Sequence, residues 1–213
     1  MQIQYFGLSS FKITTKEATI ITDPFDKESG LTPPRGAAEI VILAEKNNPL
    51  YNATSGIRQP ADGEPFLISD PGEYDLKGVT VTGIPLLQDE NRYVTVFLVE
   101  CEDISILNLT HIREWNIKQD DLDDLGEIDV LILPVGSNSV LTPKLAAQIA
   151  HDIEPKIVIP SHYETAGLKL PNEKVDVFVK QFGAKSETLE KLTIKKKDFV
   201  EDKTQVVVLE ALR

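Results

Sequence analysis

Residues 129–136 read DVLILPVG and residues 154–163 read EPKIVIPSHY, and these two stretches decide the fold. Each contains a strand candidate, 129–133 in the first and 156–159 in the second, which after a single charged residue is a continuous apolar run. A strand that is apolar at every position is typical of a sheet covered on both faces, whereas a half-exposed strand alternates apolar and polar residues. Both runs are therefore predicted to be interior strands.

Each of these two runs follows a segment with helical character, at 118–125 and at 143–153. Thr142 supplies an N-cap for the second helix, and Pro143 occupies its first position, where a missing N–H does no harm. A third helix is predicted over 172–182, with Asn172 as its N-cap and Gly183 as its stop. Helix–strand alternation of this kind indicates an α/β arrangement in the second half of the chain.

The remaining sequence predicts short strands rich in β-branched and aromatic residues. They are expected at 3–6, 11–15, 19–22, 39–43, 65–69, 79–84, 93–100, 104–109, 192–194 and 205–209. The basic run 195–197 is expected to be a solvated hairpin tip. With 213 residues, the chain is long enough for one domain, and we predict a single domain over 1–213 that packs two sheets between helices.

Composition and charge exclude several classes of function. The chain has 34 acidic and 22 basic residues, a net charge of −12, so no nucleic-acid partner is expected. Cys101 is the sole cysteine, which excludes an internal disulfide framework and a CxxC zinc site. No secretory signal and no run of 18 apolar residues is visible, so we expect a cytoplasmic protein that makes no use of a membrane.

Six segments, in order along the chain, carry a resemblance to a known family. They are 3–11 (IQYFGLSSF), 20–25 (IITDPF), 30–34 (GLTPP), 71–83 (PGEYDLKGVTVTG), 129–136 and 154–163. Together they resemble the metallo-β-lactamase superfamily, specifically its small single-domain metal-dependent hydrolases. The resemblance implies an α/β (α+β) fold, a four-layer αββα sandwich, with the active site on loops at one edge of the two sheets. It also implies metal-ion hydrolysis, in which a bound ion lowers the pKa of water.

The metal-binding signature of that family, H-x-H-x-D-H, is absent here. At the corresponding stretch after strand 39–43, Glu45 and Asn47 stand at the two leading histidine positions. Pro49 replaces the aspartate and Leu50 replaces the following histidine. Neither of these last two side chains offers a donor atom to a metal, whereas Glu45 could ligate one and Asn47 is a weak neutral ligand.

The other ligand positions implied by the resemblance are also altered. Gln88 stands where the family usually has a histidine, and His111 stands where it has the bridging aspartate. A G-H-S turn near the start reads Gly7-Leu8-Ser9 instead. His162 alone keeps the family residue type. We therefore assign Glu45, Asn47, Gln88, His111 and His162 to a vestigial site.

Two hypotheses stay open. The first is a non-catalytic binding or scaffolding protein that has lost its metal centre, with no metal cofactor and with a small molecule, a protein or a second copy as partner. The second is a hydrolase with a rebuilt mononuclear site, in which Glu45, His111 and His162 hold a metal and act on a phosphoester or lactone-like substrate. Under either hypothesis the two imidazoles are expected to bind Zn or Ni weakly, and less so below about pH 6.

Overall fold

The computed structural model describes residues 1–61, 63–89, 92–117, 122, 125–136, 139–200 and 203–212. Its strands, numbered β1 to β16 in chain order, are Gln2–Gly7, Ser10–Thr14, Thr19–Thr22, Gly36–Ala37, Ile40–Ile42, Ile57–Arg58, Phe66–Ile68, Gly72–Leu76, Val79–Asp89, Arg92–Cys101, Ile104–Asn108, Val130–Pro134, Ile157–Ser161, Ser186–Leu189, Leu192–Thr193 and Gln205–Leu209. Two α-helices are described, α1 at Pro143–Ile153 and α2 at Val175–Phe182.

The strands form two large sheets and a small ribbon. Six strands make the first sheet in the order β15-β1-β2-β3-β5-β7, and eight make the second in the order β14-β16-β13-β12-β11-β10-β9-β8. Strands β4 and β6 pair separately. The first half of the chain builds most of the first sheet, and its remaining strand, β15, comes from near the end.

The hydrophobic core lies between the two large sheets. Ile3, Phe11 and Ile20 of the first sheet belong to the same buried cluster as Val96 and Ile132 of the second. The opposite face of the first sheet has its own cluster, in which strand residues pack against Ala38 and Ile57. Two large sheets that pack face to face form the layered sandwich that the sequence predicts. The fold is therefore confirmed as α/β.

The two segments that decide the fold are interior strands, as predicted. Strands β12 and β13 pair in parallel at the centre of the second sheet, and every residue of both is buried. Helix α1 has the predicted Thr142 N-cap, whose hydroxyl accepts a hydrogen bond from the Leu145 N–H at 3.3 Å. The helix predicted at 118–125 lies mostly outside the described residues.

Several predictions about the second half are wrong in detail. Helix α2 begins at Val175, and Asn172 is not its N-cap, because the Asn172 side chain bonds elsewhere. The predicted stop is confirmed, since Gly183 has a φ of 79°, which glycine adopts without strain. The basic run 195–197 is not a hairpin tip. It enters a 3-10 turn, and Lys196 Nζ lies 2.9 and 2.8 Å from the two carboxylate oxygens of buried Asp129.

Strand β8 is an edge strand that was not predicted from the sequence, because the glycine and proline residues in and around it are typical of turns. It pairs with β9 on one side only and ends the eight-stranded sheet. Its side chains alternate, with Tyr74 and Leu76 half-buried and Glu73 and Asp75 exposed. Neither described α-helix is long enough to span a membrane.

Candidate functional site

The candidate site lies at one edge of the sandwich, where four strands end. Strand β3 runs parallel to β5 in the first sheet, and β11 to β13 are parallel in the second. The residues that follow these strands include Asp23, Glu45, His111 and His162. Carboxyl ends of parallel strands share a sheet edge, so the topology brings together side chains that are far apart in sequence.

The backbone at His162 is fixed in an unusual conformation. Its φ is 56°, in the left-handed region, and its N–H lies 3.0 Å from Leu8 O and 3.1 Å from the Tyr5 hydroxyl. Its carbonyl accepts a hydrogen bond from the Asn172 amide at 2.6 Å. A Cβ at Gly136 would lie 1.7 Å from that carbonyl, so only glycine allows this approach. These contacts fix the backbone from which the His162 side chain extends.

The imidazole of His162 is fully buried, which favours its neutral form. Burial lowers its pKa well below the usual value, and the charge of His111 lowers it further. Neither ring nitrogen has a hydrogen-bond partner among the described residues. A buried imidazole without partners is uncommon, because an unmade hydrogen bond costs roughly 1–3 kcal/mol.

His111 lies beside His162, with 6.2 Å between the ring centroids. Its ring stacks on Tyr51 at a centroid distance of 4.4 Å, and its Nε2 is 2.9 Å from Glu45 Oε2. The other ring nitrogen, Nδ1, is buried and has no partner in the described part of the chain. Burial also raises the pKa of Tyr51, so its hydroxyl stays protonated. The stack on Tyr51 and the contact with Glu45 together fix the position of the His111 ring.

The Glu45 carboxylate is the most heavily bonded group of the site. Arg92 binds both of its oxygens, with Nε 2.6 Å from Oε1 and Nη2 2.9 Å from Oε2. Oε2 also lies 2.9 Å from the Asn48 amide and 2.9 Å from the His111 imidazole. Burial alone would raise the pKa of this carboxyl, but the bonds from His111, Arg92 and Asn48 hold it well below its usual range. Glu45 is therefore an anion at any ordinary pH.

Asp23 is a second carboxyl of the site, and it is completely buried. Its Oδ1 accepts a hydrogen bond from the Ala44 N–H at 2.7 Å, which joins the ends of β3 and β5. Oδ2 has no partner among the described residues. Burial raises the pKa of Asp23 to about 6, against a smaller opposing effect of the nearby His111.

Two of the residues assigned to the vestigial site lie outside this cluster. The Gln88 side chain binds a backbone loop, with its Oε1 accepting from the N–H groups of Arg113 at 2.6 Å and Glu114 at 3.1 Å. Asn47 is exposed and lines a surface cavity of about 590 Å³. Glu45 and the 61% exposed ring of Tyr93 line the same cavity. The structure thus brings together Glu45, His111 and His162, but not the other two.

Sequence reasoning missed Arg92 and Asn48 as partners of this site. Arg92 begins β10 and is 47 positions from Glu45, so only the pairing of the two sheets brings it there. Asn48 was overlooked because it is not a ligand position of the family pattern. Asp23 directly follows β3, and its burial beside His111 follows from the fold.

The comparisons with known proteins agree with this geometry. The family model described as a beta-lactamase superfamily domain matches residues 2–162. The chain therefore belongs to the beta-lactamase superfamily. A curated relative from Bacillus thuringiensis subsp. konkukian, named a UPF0173 metal-dependent hydrolase, is 28% identical over 199 residues that cover 78% of this chain and 86% of the relative.

Solved structures show the same fold. A protein of Thermotoga maritima, named as a Zn-dependent hydrolase of the metallo-β-lactamase superfamily, is 30% identical. It superposes with a TM-score of 0.79, covering 98% of this chain and 99% of the other. Igni18, a metallo hydrolase from Ignicoccus hospitalis, is 13% identical with a TM-score of 0.68, covering 100% of this chain and 96% of the other, which shows the fold alone. The chain is metal-dependent-hydrolase-like, and the names of its relatives suggest a divalent metal.

The donor set of this chain does not fit such a metal. Across the described residues, no three histidine, cysteine, aspartate or glutamate side chains are grouped so that they could share an ion. The Glu45 carboxylate is already bound by three protein side chains, one of them a permanent cation. The two imidazoles lie close enough to meet at one ion, but no third ligating side chain of the described residues, Asp23 included, is grouped with both of them.

Proposed function

We propose that this chain is a member of the metallo-β-lactamase superfamily that has lost its metal ligands and acts as a non-catalytic binding or scaffolding protein. The observation that carries the proposal is the state of Glu45. A carboxylate has about four lone-pair positions, and here four N–H donor contacts reach its two oxygens. Three of these contacts are to Oε2 and one is to Oε1, so an ion at Glu45 would have to bind beside the Arg92 guanidinium. Hydrolysis in this fold class needs a metal with an open coordination position, and a site that already holds a permanent cation does not favour one.

A binding role is supported by the cavity beside Glu45. Its volume of about 590 Å³ falls in the range of small-molecule sites, and the exposed Tyr93 ring offers an apolar contact. We infer that the partner is a small molecule or a protein that contacts this surface, with self-association as a further form of the same role. The net charge of −12 argues against nucleic acid.

The second candidate is the hydrolase with a rebuilt mononuclear site, acting on a phosphoester or lactone-like substrate. A specific observation favours it, because both nitrogens of His162 and Nδ1 of His111 are buried without partners. Unpartnered imidazoles are ready metal ligands, particularly when neutral. In this candidate Glu45 would have to exchange Arg92 for the ion.

Metal content and turnover distinguish the two candidates. Protein purified without a His-tag or chelator should contain metal far below one equivalent by elemental analysis. It should also be inactive on phosphodiester, β-lactam and lactone substrates supplied with zinc or manganese. Glu45→Gln should leave metal affinity unchanged if the protein is non-catalytic, and should weaken it if the site is rebuilt. Turnover that scales with added metal and disappears on chelation would refute the non-catalytic proposal.

A further inference from the structure

The candidate site contains its own permanent cation. The Arg92 guanidinium binds Glu45 through two parallel hydrogen bonds of 2.6 and 2.9 Å. Its side chain is 26% exposed and that of Glu45 is 13% exposed, so the pair is largely shielded from water. Bidentate pairs of this kind are among the strongest charge-assisted contacts, and a guanidinium cannot lose its proton in a protein.

Arg92 also joins elements of the two large sheets. Glu45 belongs to the loop after β5 in the first sheet, and Arg92 begins β10 in the second. The same two elements are tied nearby by a hydrogen bond from the Thr95 N–H to Ala44 O at 3.2 Å. Arg92 Nη2 and His111 Nε2 both contact the same oxygen of Glu45, Oε2.

We propose that the Arg92 guanidinium is the resident cation of this site, and that it excludes a divalent metal by holding the Glu45 carboxylate. The inference rests on the proposed loss of the metal ligands. It adds the reason why a metal does not bind at Glu45, namely that the guanidinium has taken the place of the ion. A metal at Glu45 would have to displace two charge-assisted hydrogen bonds and remain beside a positive charge. Without the guanidinium, the Glu45 carboxylate would be free to bind an ion together with the His111 imidazole, which lies 2.9 Å from its Oε2.

Arg92→Met tests this, since methionine keeps much of the side-chain length and removes the charge. Arg113→Met is the matched control, because Arg113 lies near Tyr51 but donates its Nε hydrogen bond to Ser139 O. In EDTA, Arg92→Met should lower the Tm by roughly 5 °C. Addition of ZnCl2 should raise the Tm of Arg92→Met, while wild type and the control shift far less.

The rise in Tm that zinc gives Arg92→Met, called the rescue below, must depend on the Glu45 carboxylate, which residue 92 no longer binds in that variant. In the double variant Arg92→Met/Glu45→Gln, zinc should no longer raise the Tm. Equilibrium dialysis of zinc should give an affinity about 10-fold to 100-fold tighter for Arg92→Met than for wild type, the range seen when groups around a metal ligand are changed. An Arg92→Met protein that zinc shifts no more than wild type overturns the inference, and so does a rescue that survives the loss of Glu45.

A second variant keeps the test decisive if Arg92→Met does not fold. Arg92→Gln removes both the charge and the bidentate contact, while its amide can still donate one hydrogen bond to Glu45. Its zinc affinity should be at least about 10-fold tighter than that of wild type, and an equal affinity overturns the inference. The two proposals can fail separately. Metal-dependent turnover by the wild type refutes the non-catalytic function, whereas an unchanged zinc affinity in both Arg92 variants refutes only the role of the guanidinium.

Discussion

The buried carboxyl of Asp23 should make the free energy of unfolding depend on pH, and the substitution Asp23→Asn should remove that dependence. Its pKa is raised from 3.8 to about 6 by burial, a shift of about 2 pKa units. At 1.36 kcal/mol per unit, ionised Asp23 costs the folded state about 3 kcal/mol. Asp23→Asn removes that charge, and the new amide oxygen can still accept the 2.7 Å hydrogen bond from the Ala44 N–H.

The direction of the effect follows from the two pKa values. Above about pH 6 Asp23 is ionised in both the folded and the unfolded state, so the folded state carries the whole penalty. Below about pH 4 it is protonated in both states and the penalty is gone. Stability due to Asp23 therefore rises as the pH falls from about 6 to about 4. His162 acts oppositely, because its lowered pKa makes only the unfolded state bind a proton below its usual value of 6.5.

The assay is urea unfolding of wild type and Asp23→Asn in EDTA at several values between pH 4 and pH 8. His162 is present in both proteins, so its contribution cancels in the difference between their free energies of unfolding. The free energy of unfolding of Asp23→Asn minus that of wild type should be about 3 kcal/mol larger at pH 8 than at pH 4. A constant offset is expected from the new buried amide N–H groups. A difference that is flat with pH, or that favours wild type at high pH, would refute the reasoning.

Two further predictions concern other charged and imidazole groups. Lys196→Met should lower the free energy of unfolding by about 1–3 kcal/mol, because it leaves buried Asp129 without its cation while Lys196 itself is half-exposed. Lys197→Met, in the same turn, should change it by less than about 0.5 kcal/mol in the same urea assay. Calorimetric titration of wild type with zinc or nickel should show weak binding that His111→Ala and His162→Ala each abolish and His151→Ala preserves, since His151 lies on α1 and stacks on Phe182 of α2. Unaltered zinc binding by His162→Ala would place the ion elsewhere.

Most of the fold could be predicted because apolar periodicity reports burial directly. Strand β12 is apolar throughout, β13 is apolar up to its final Ser161, and both lie at the centre of a sheet, as such runs should. The edge strand β8 was missed because its signal is weak, with two half-buried residues among exposed ones. Helix α2 was predicted three residues too long at its start, because Asn172 has the chemistry of an N-cap but donates to the His162 carbonyl instead.

The site was partly predictable for a topological reason. Residues that follow parallel strands share one sheet edge, so the proximity of His111, His162 and Glu45 could be expected from the fold alone. The contact between Arg92 and Glu45 could not, because it depends on how a hairpin of one sheet meets a loop of the other. Nothing in the local sequence of Arg92 distinguishes it from an ordinary surface arginine.

The exposed edge at β8 has a consequence for aggregation. An unpaired strand edge is a template on which another strand can add, and long apolar edges are prone to polymerise. Strand β8 is five residues long and has two exposed carboxylates, Glu73 and Asp75. If two copies paired antiparallel about Tyr74, each Glu73 would face an Asp75, and like charges directly opposite are destabilising. The edge therefore repels its own copies at high protein concentration, while it would accept a strand with lysine or arginine at those positions.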